Sequence, residues 1–412
     1  MRRPSDLARE GHARPHGRIG RGAVVGDGWP GGFAASPADR QALLVLLGLA
    51  SLTPRRLLEL SSRYPTATAC LAAVRAGEAG SAGDRRFAEA IDPKEVKRRL
   101  DECAARLVTT DDAEYPHELL DLFDPPAGLF VRGRDLSDPE LRLAVVGARN
   151  CSPAGREMAG DLCRALSDAG VCVVSGGARG IDAAAHRGAL LGGGVTIAVL
   201  GSGIDVAYPR QNQGLLERIA DSGAIVSEYP PATPPEPFRF PARNRIVAGL
   251  CRGVVVVEGG PGSGSMITAD HALDLGRDVF AVPGAITSEL ATVPLALLRE
   301  GAVPIRGSQD LLDDLGLSGS ARPTPHTGVA DRPPGGGTIP EGPEVADLAR
   351  ASPSELAVWT ALTTTSTPDR LAESTGLPLP DVVSALVSLE LQGRVRRLGG
   401  LYERRPGCLT RR

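Results

Sequence analysis

The feature that most constrains the fold is a repeated unit: a short β-branched run, a glycine-rich turn and then a helix-like stretch. Six such runs lie within residues 142–316. Runs that are apolar throughout are typical of strands buried on both faces, and strands that alternate with helices favour a parallel sheet. The sequence therefore predicts an α/β domain with a doubly wound, Rossmann-like parallel sheet, whose ligands bind at the carboxyl ends of the strands. The predicted strands are 143–147, 171–175, 196–200, 224–227, 254–258 and 279–282.

The rest of the 412 residues differs from this region in composition, so the chain divides into segments. An Arg- and Gly-rich start predicts disorder, a stretch dense in Gly and Pro predicts a linker, and helical spacing of apolar residues predicts helices on either side of the sheet. The predicted segments are a disordered basic tail (1–36), a small SAM-like or helix-hairpin-helix-like helical domain (37–110), the Rossmann-like domain (111–316), a linker (317–350) and a winged helix (351–405).

Composition excludes several classes of protein. Seven cysteines without a C-x-x-C pair fit neither a disulfide scaffold nor a zinc ribbon, which favours a cytoplasmic location. The longest apolar run is far shorter than the ~18 residues that a membrane span needs, so no contact with a membrane is expected. The net charge of −3 means that a polyanion could bind only at a local patch.

Four glycine-rich turns, 147–152, 175–182, 201–205 and 259–265, follow predicted strands. Glycine allows a close backbone approach, and amides at a helix start favour an anion. Turns that share one sheet edge predict a long phosphate-binding rim, with arginine forks and an aromatic face beside it, although a tight turn without a ligand explains any single one. The candidate nucleic-acid-binding residues are Arg149, Ser152, Gly176, Gly177, Arg179, Gly180, Gly201, Ser202, Gly203, Phe240, Arg243, Asn244, Arg245, Ser263, Gly264 and Ser265.

The chain lacks residues that the standard nucleotide-binding motifs require. Residues 259–264 have P-loop spacing, but Ser265 stands where the lysine belongs, and the only lysines of the chain are Lys94 and Lys97. No loop reads G-x-G-x-x-G, so a dinucleotide site has little support. We therefore expect no cofactor and no metal.

Four side chains in or near these turns could take part in acid–base chemistry: Asp182, His186, Glu228 and Glu258. Asp182 and His186 are spaced i and i+4, so they could pair or orient an arginine. Glu228 and Glu258 could serve as general acid and base, but no nucleophile or metal cluster joins them. The four are interpreted as structural or orienting residues, and no catalytic residue is assigned.

Six ordered motifs closely resemble the bacterial DNA-processing protein A family, called DprA or Smf. They are VVGAR (145–149), SGGARGIDAAAH (175–186), AVLGSGIDVAYP (198–209), SEYP (227–230), FPARNRIVAG (240–249) and SGSMITA (263–269). The resemblance implies a non-catalytic protein that binds single-stranded DNA in natural transformation, forms a homodimer and helps load the RecA recombinase.

The resemblance also assigns positions. Arg149 matches the arginine of the first loop, 176–182 matches the second loop, and Phe240, Arg243, Asn244 and Arg245 match the aromatic and basic cluster. The chain departs from the family after Gly284, where 288–298 replaces the usual Gly-x-Asn stretch. This departure concerns one edge of the expected pocket.

Two other functions remain open. A nucleoside-monophosphate phosphoribohydrolase of the lonely-guy type has a comparable glycine loop, but Thr268 would occupy the place of its catalytic glutamate. A sequence-specific regulator would use the winged helix, but its expected recognition helix, 380–391, carries Asp381 and Glu390 and no basic residue, which suits a phosphate-lined groove poorly.

Overall fold

The structure, a computed structural model, describes residues 28–137, 141–317, 352–362, 366–391, 394–398 and 401–404. The chain forms two compact units, Met1–Pro325 and His326–Arg412. Residues 1–27 of the predicted tail and all but Leu317 of the predicted linker lie outside the described residues. No helix in the described residues is long and apolar enough to cross a membrane.

The first unit contains a nine-stranded sheet in the order β1-β2-β6-β5-β4-β3-β7-β8-β9. The β1–β2 and β2–β6 pairs are antiparallel, whereas all the other pairs are parallel. The predicted doubly wound sheet is confirmed, since the six predicted strands correspond to β3 through β8. The strands are β1 (Ala105–Thr109), β2 (Gly128–Gly133), β3 (Arg142–Val146), β4 (Cys172–Ser175), β5 (Thr196–Leu200), β6 (Ala224–Ser227), β7 (Gly253–Val256), β8 (Asp278–Ala281) and β9 (Val303–Pro304).

Helices cover both faces of the sheet, because successive strand residues point to opposite sides. Leu143 and Val145 pack with one set of helices, and Ala144 and Val146 pack with the other. The helices of this unit are α1 (Pro37–Leu46), α2 (Pro54–Ser61), α3 (Ala67–Ala76), α4 (Ala82–Ala90), α5 (Pro93–Glu102), α6 (Pro153–Asp168), α7 (Ile181–Leu191), α8 (Gln213–Ser222), α9 (Arg239–Gly249), α10 (Gly264–Asp274), α11 (Thr292–Arg299) and α12 (Ser308–Asp314).

The strand order places a topological switch point between β3 and β7. From β3 the chain proceeds outward through β4, β5 and β6, and then crosses to pair β7 with the other side of β3, with Val146 opposite Val256. The connections after β3 and β7 therefore diverge to opposite sides of the sheet and leave a crevice, which is where ligands bind in open α/β sheets.

Two parts of the sequence-based domain assignment need correction. β1 lies within 37–110, so the range predicted to be helical also contributes an antiparallel strand to the sheet. Part of the predicted tail, 28–36, is packed: Phe33 is buried, and the Trp29 indole donates a hydrogen bond to the Pro125 carbonyl at 3.2 Å. The Arg and Gly content of the tail obscured these two aromatic anchors.

The turn between α1 and α2, in the domain predicted to be helix-hairpin-helix-like, is hydrogen-bonded to a carboxylate of α4. The amide and hydroxyl of Ser51 both donate to buried Asp84, and Gly48 lies directly against Phe87. The Ser51 amide, which an anion could otherwise contact, is therefore already satisfied by the protein.

The second unit is the C-terminal helical and β-ribbon region. Its helices are α13 (Pro353–Ala361), α14 (Pro368–Thr375) and α15 (Leu379–Leu391), and its antiparallel ribbon consists of β10 (Val395–Leu398) and β11 (Leu401–Arg404). Leu371, Leu386, Leu389 and Tyr402 belong to its core. The three helices and the ribbon follow the predicted winged-helix order.

Candidate nucleic-acid interface

A crevice of about 550 Å³ opens at the switch point. It is lined by the turn after β3, the turn after β7 and one side of α9. A smaller hollow of about 280 Å³ shares Arg149, Phe240 and Arg243 with the crevice and extends it to Arg179 and Gly201. The two hollows together are called the groove below.

Glycine is required where the turns after β3 and β4 meet. Gly180 has φ +75°, and a Cβ there would lie 2.2 Å from the Ala148 carbonyl oxygen. A Cβ on Gly176 would lie 2.5 Å from the Arg243 guanidinium. The lack of a side chain at Gly180 lets the turn after β4 approach the turn after β3, and its lack at Gly176 leaves room for the Arg243 guanidinium.

An aromatic ring lies at the mouth of the groove. Phe240, the second residue of α9, has the exposed Arg149 guanidinium 5.2 Å from its ring centroid. The Tyr208 ring lies 5.2 Å from Phe240, at an interplanar angle of 33°. Gly201 makes room for this ring, since a Cβ there would lie 2.8 Å from Phe240 Cδ1. Cationic and aromatic groups therefore stand side by side at the opening.

Arg243 connects the groove wall to the sheet. It is only 4% exposed, and its guanidinium donates to the carbonyls of Gly176, at 2.7 Å, and Val199. Burial lowers the pKa of Arg243 to about 10, although Asp182 opposes the shift. Arg243 therefore stays charged at neutral pH and holds the turn after β4 in place.

Asp182 and His186 lie on α7, and Asp182 is the one carboxylate that lines the groove. The Ala178 amide donates to Asp182 at 3.3 Å, and burial raises the pKa of this carboxyl while Arg243 opposes the shift. The His186 ring contacts Thr196 Oγ1 at 2.8 Å, and burial lowers the pKa of the ring to about 3. His186 is therefore neutral, and it packs inside the scaffold instead of facing a ligand.

Glu258 and Ser152 satisfy each other. The Ser152 amide and hydroxyl donate to the Glu258 carboxylate at 2.9 and 2.5 Å. Ser152 also accepts from the Gly155 amide and so caps α6. The start of α6 therefore interacts with a carboxylate from the protein itself.

The turn after β7 contributes directly to the groove through Ser263, Gly264 and Ser265. Ser263 caps α10, and its hydroxyl lies 2.8 Å from that of Ser265. The Asn244 amide donates to the Gly264 carbonyl at 3.1 Å and so ties this turn to α9. The three residues and Asn244 thus form one wall.

Several candidate residues lie behind the groove. Gly177 has φ +66°, and a Cβ there would lie 3.6 Å from the buried Leu200 side chain. The Ser202 hydroxyl donates to the Val206 carbonyl at 2.8 Å. The Gly203 amide donates to the Thr233 carbonyl at 2.9 Å. These residues shape the turns and are not brought to the ligand-facing surface.

Arg245 lies on the other side of α9, because residues two apart on a helix point in different directions. Its guanidinium pairs with Asp124 at 2.9 Å and Glu228 at 2.7 Å. The three residues line a separate hollow of about 490 Å³, called the second pocket below. The structure therefore does not bring Arg245 and Glu228 together with the other candidates.

Sequence reasoning missed two residues that position the groove. The Asn212 amide donates to the carbonyls of Gly177 and Ala178 at 3.0 and 3.1 Å. The Leu290 carbonyl accepts from the Gly259 amide at 2.7 Å, so the segment that departs from the family supports the turn after β7. No local pattern reveals hydrogen bonds between such distant positions.

The fold and the groove define a doubly wound α/β protein with an arginine- and aromatic-lined site at its switch point. A family model for the DNA recombination-mediator protein A matches residues 106–316, and a model for the DprA winged helix domain matches residues 342–400. This chain belongs to the DNA recombination-mediator protein A family.

Named relatives agree with this assignment. Protein Smf of Escherichia coli K12 is 38% identical over 309 residues, which cover 74% of this chain and 79% of the relative. The DNA processing protein DprA of Streptococcus pneumoniae is 46% identical over 198 residues, which cover 48% of this chain and 70% of the relative. The X-ray structure of DprA from Streptococcus pneumoniae aligns with a TM-score of 0.60 at 34% identity, over 66% of this chain and 97% of that one.

Proposed function

We propose that this protein binds single-stranded DNA in the groove, without a catalytic step, during natural transformation and recombination. The observation that carries the proposal is the composition of the groove, in which three arginines face one carboxylate beside two aromatic rings and several glycine turns. Arginine and backbone amides suit phosphates, and ring faces suit bases. A sugar–phosphate strand presents both groups.

The aromatic faces favour a single strand over a duplex. Bases in a duplex stack on each other and present only their edges, whereas a single strand can place a base against a protein ring. Phe240 and Tyr208 lie at the opening, where an unpaired base could reach them. We therefore expect the protein to prefer single-stranded DNA.

The partners of the carboxylates support binding without catalysis. Glu258 is bound to Ser152, and Asp182 is buried beside Arg243. The Thr268 hydroxyl, at the place where the phosphoribohydrolase alternative needs a glutamate, donates to the Gly264 carbonyl at 3.3 Å. We expect no free base to form when the purified protein is incubated with AMP or CMP, and its release would favour the enzyme.

Membership of a recombination-mediator family supports the wider role. We propose that the protein acts as a homodimer in the cytoplasm and helps load the RecA recombinase on the bound strand. Stimulation of RecA filament formation on single-stranded DNA by the purified full chain would test this step separately from binding.

Fluorescence anisotropy with one labelled oligonucleotide, single-stranded or annealed, tests the binding proposal. We expect single-strand affinity to fall steeply between about 50 and about 200 mM salt, because phosphate contacts release counterions. Arg149→Ala should weaken binding roughly tenfold or more, since it removes both a cation and a stacking neighbour of Phe240. The control, Arg98→Ala, removes an equally charged but distant side chain paired with Glu95. Equal loss in both variants, or preference for duplex, would contradict the proposal.

A further inference from the structure

A second aromatic and cationic cluster lies just outside the groove. The Arg239 guanidinium is 5.2 Å from the ring centroids of both Tyr229 and Phe238. Phe238 is 65% exposed, although a phenyl ring gains free energy by leaving water. The ring therefore has a large face available for a partner.

Arg239 is fixed in this position. Its side chain is only 18% exposed, and its guanidinium donates to the Pro234 carbonyl at 2.5 Å and pairs with Glu236 at 3.1 Å. The carboxylate partly neutralises the cation, so Arg239 is poorly suited to grip a phosphate. Its contribution is to support the Phe238 ring with a flat cationic surface.

The cluster is next to the groove along the chain. Pro237 and Phe240 line the groove, and Phe238 lies between them in the sequence. Residues 238 and 240 are two positions apart at the start of α9, and side chains at that spacing do not face each other. The two rings therefore offer separate faces to a strand.

We propose that Phe238, supported by Arg239, is a second stacking site for a nucleobase of the strand whose other part lies in the groove. This proposal rests on the proposed function and extends it to the length and path of the bound strand. Stacking tolerates any base, so the site adds affinity without sequence preference.

Binding measured against oligonucleotide length tests the proposal. Oligothymidylates from about 4 to about 16 nucleotides span the range from one site to both. Phe238→Leu should leave the affinity for the shortest binding oligonucleotide unchanged and weaken binding of the longest about 5- to 100-fold, because one stacked base is lost. Phe240→Leu should weaken binding at every length. Phe238→Trp keeps an aromatic ring and should therefore retain the wild-type affinity for long oligonucleotides.

Phe123→Leu is the matched control. Phe123 is 76% exposed and also has a guanidinium over its ring, that of Arg55 at 4.5 Å, but it lines the second pocket. Its substitution should not change affinity at any length. If Phe238→Leu behaves like this control while Phe240→Leu weakens binding, the second stacking site is wrong and the groove stands. If the wild-type protein binds no oligonucleotide, the proposed function itself fails.

Discussion

The groove and the second pocket lie on opposite sides of α9 and contain similar residue types. Each has a buried arginine from α9, Arg243 or Arg245, and each has a phenylalanine with a guanidinium over its ring. Their volumes, about 550 and 490 Å³ for the main crevice and the second pocket, are also alike. Aromatic and arginine content alone would not distinguish them.

Their electrostatics are opposite. The groove has three arginines against one carboxylate, whereas the second pocket has one arginine against Asp124, Glu228 and Asp274. Glycine turns at the ends of β3, β4 and β7 surround the groove, and the second pocket is lined by larger side chains. On the proposed function, an arginine contributes to DNA binding only where carboxylates do not neutralise it and the backbone can approach a phosphate closely.

The largest effect expected from this comparison is on stability. Arg245→Met removes the cation between two carboxylates and leaves Glu228, which is 8% exposed, without its ion-pair partner. Breaking a buried ion pair in this way typically costs 3–5 kcal/mol, so we expect the free energy of unfolding to fall by roughly that amount. Urea denaturation measures it, and single-strand affinity of the folded variant should be unchanged.

Arg55→Met provides the reference for that measurement. Arg55 pairs with the exposed Glu59, and surface pairs contribute only about 0–1 kcal/mol. If both substitutions cost the same, the buried ion pairs of Arg245 do not stabilise the fold more than a surface pair does. If Arg245→Met instead weakens DNA binding without loss of stability, the division between groove and second pocket is wrong.

The sequence predicted the sheet because its signal is local. Each of β3 through β8 is a short apolar run followed by a turn, so composition within a few residues identified it. β1 and β2 were not predicted because they precede the strand–turn–helix repeats: they pair with each other in antiparallel fashion, and β1 is only partly buried. The packing of Trp29 and Phe33 was not predicted because the composition of the flanking residues is typical of disorder.

Part of the groove lining was predictable from the sequence, but the orientation of the side chains was not. Arg149, Phe240 and Ser263 line the groove as expected, because loops at the ends of parallel strands meet at one edge. Arg243 and Arg245 have the same chemistry in sequence, and only the helical rotation of α9 separates them. Long-range partners such as Asp124 decide which arginine is neutralised, and spacing along the chain does not encode them.

Two glycines at opposite ends of α7 provide the next test. Gly180 and Gly193 both have positive φ, but a Cβ at Gly180 would meet the turn after β3, whereas nothing lies within 4 Å of one at Gly193. We expect Gly193→Ala to cost about 1 kcal/mol from backbone strain alone. Gly180→Ala should cost about 3 kcal/mol or more, because strain and overlap combine, and it should also weaken DNA binding by displacing Arg149.

Chemical denaturation and anisotropy on the same two variants separate these contributions. Equal losses of stability would mean that the turns after β3 and β4 relax apart without penalty. In that case the close approach at Gly180 does not define the groove wall.

The smallest effect is expected from adding charge to the second pocket. Asp274→Lys replaces one of its three carboxylates with a cation, which moves its electrostatics toward those of the groove. We expect single-strand affinity at moderate salt to change by no more than about twofold, since a single exposed charge at this distance is largely screened. Anisotropy at low and moderate salt measures it. A large gain in affinity would show that net charge alone, without glycine turns and a free ring face, is enough to bind single-stranded DNA.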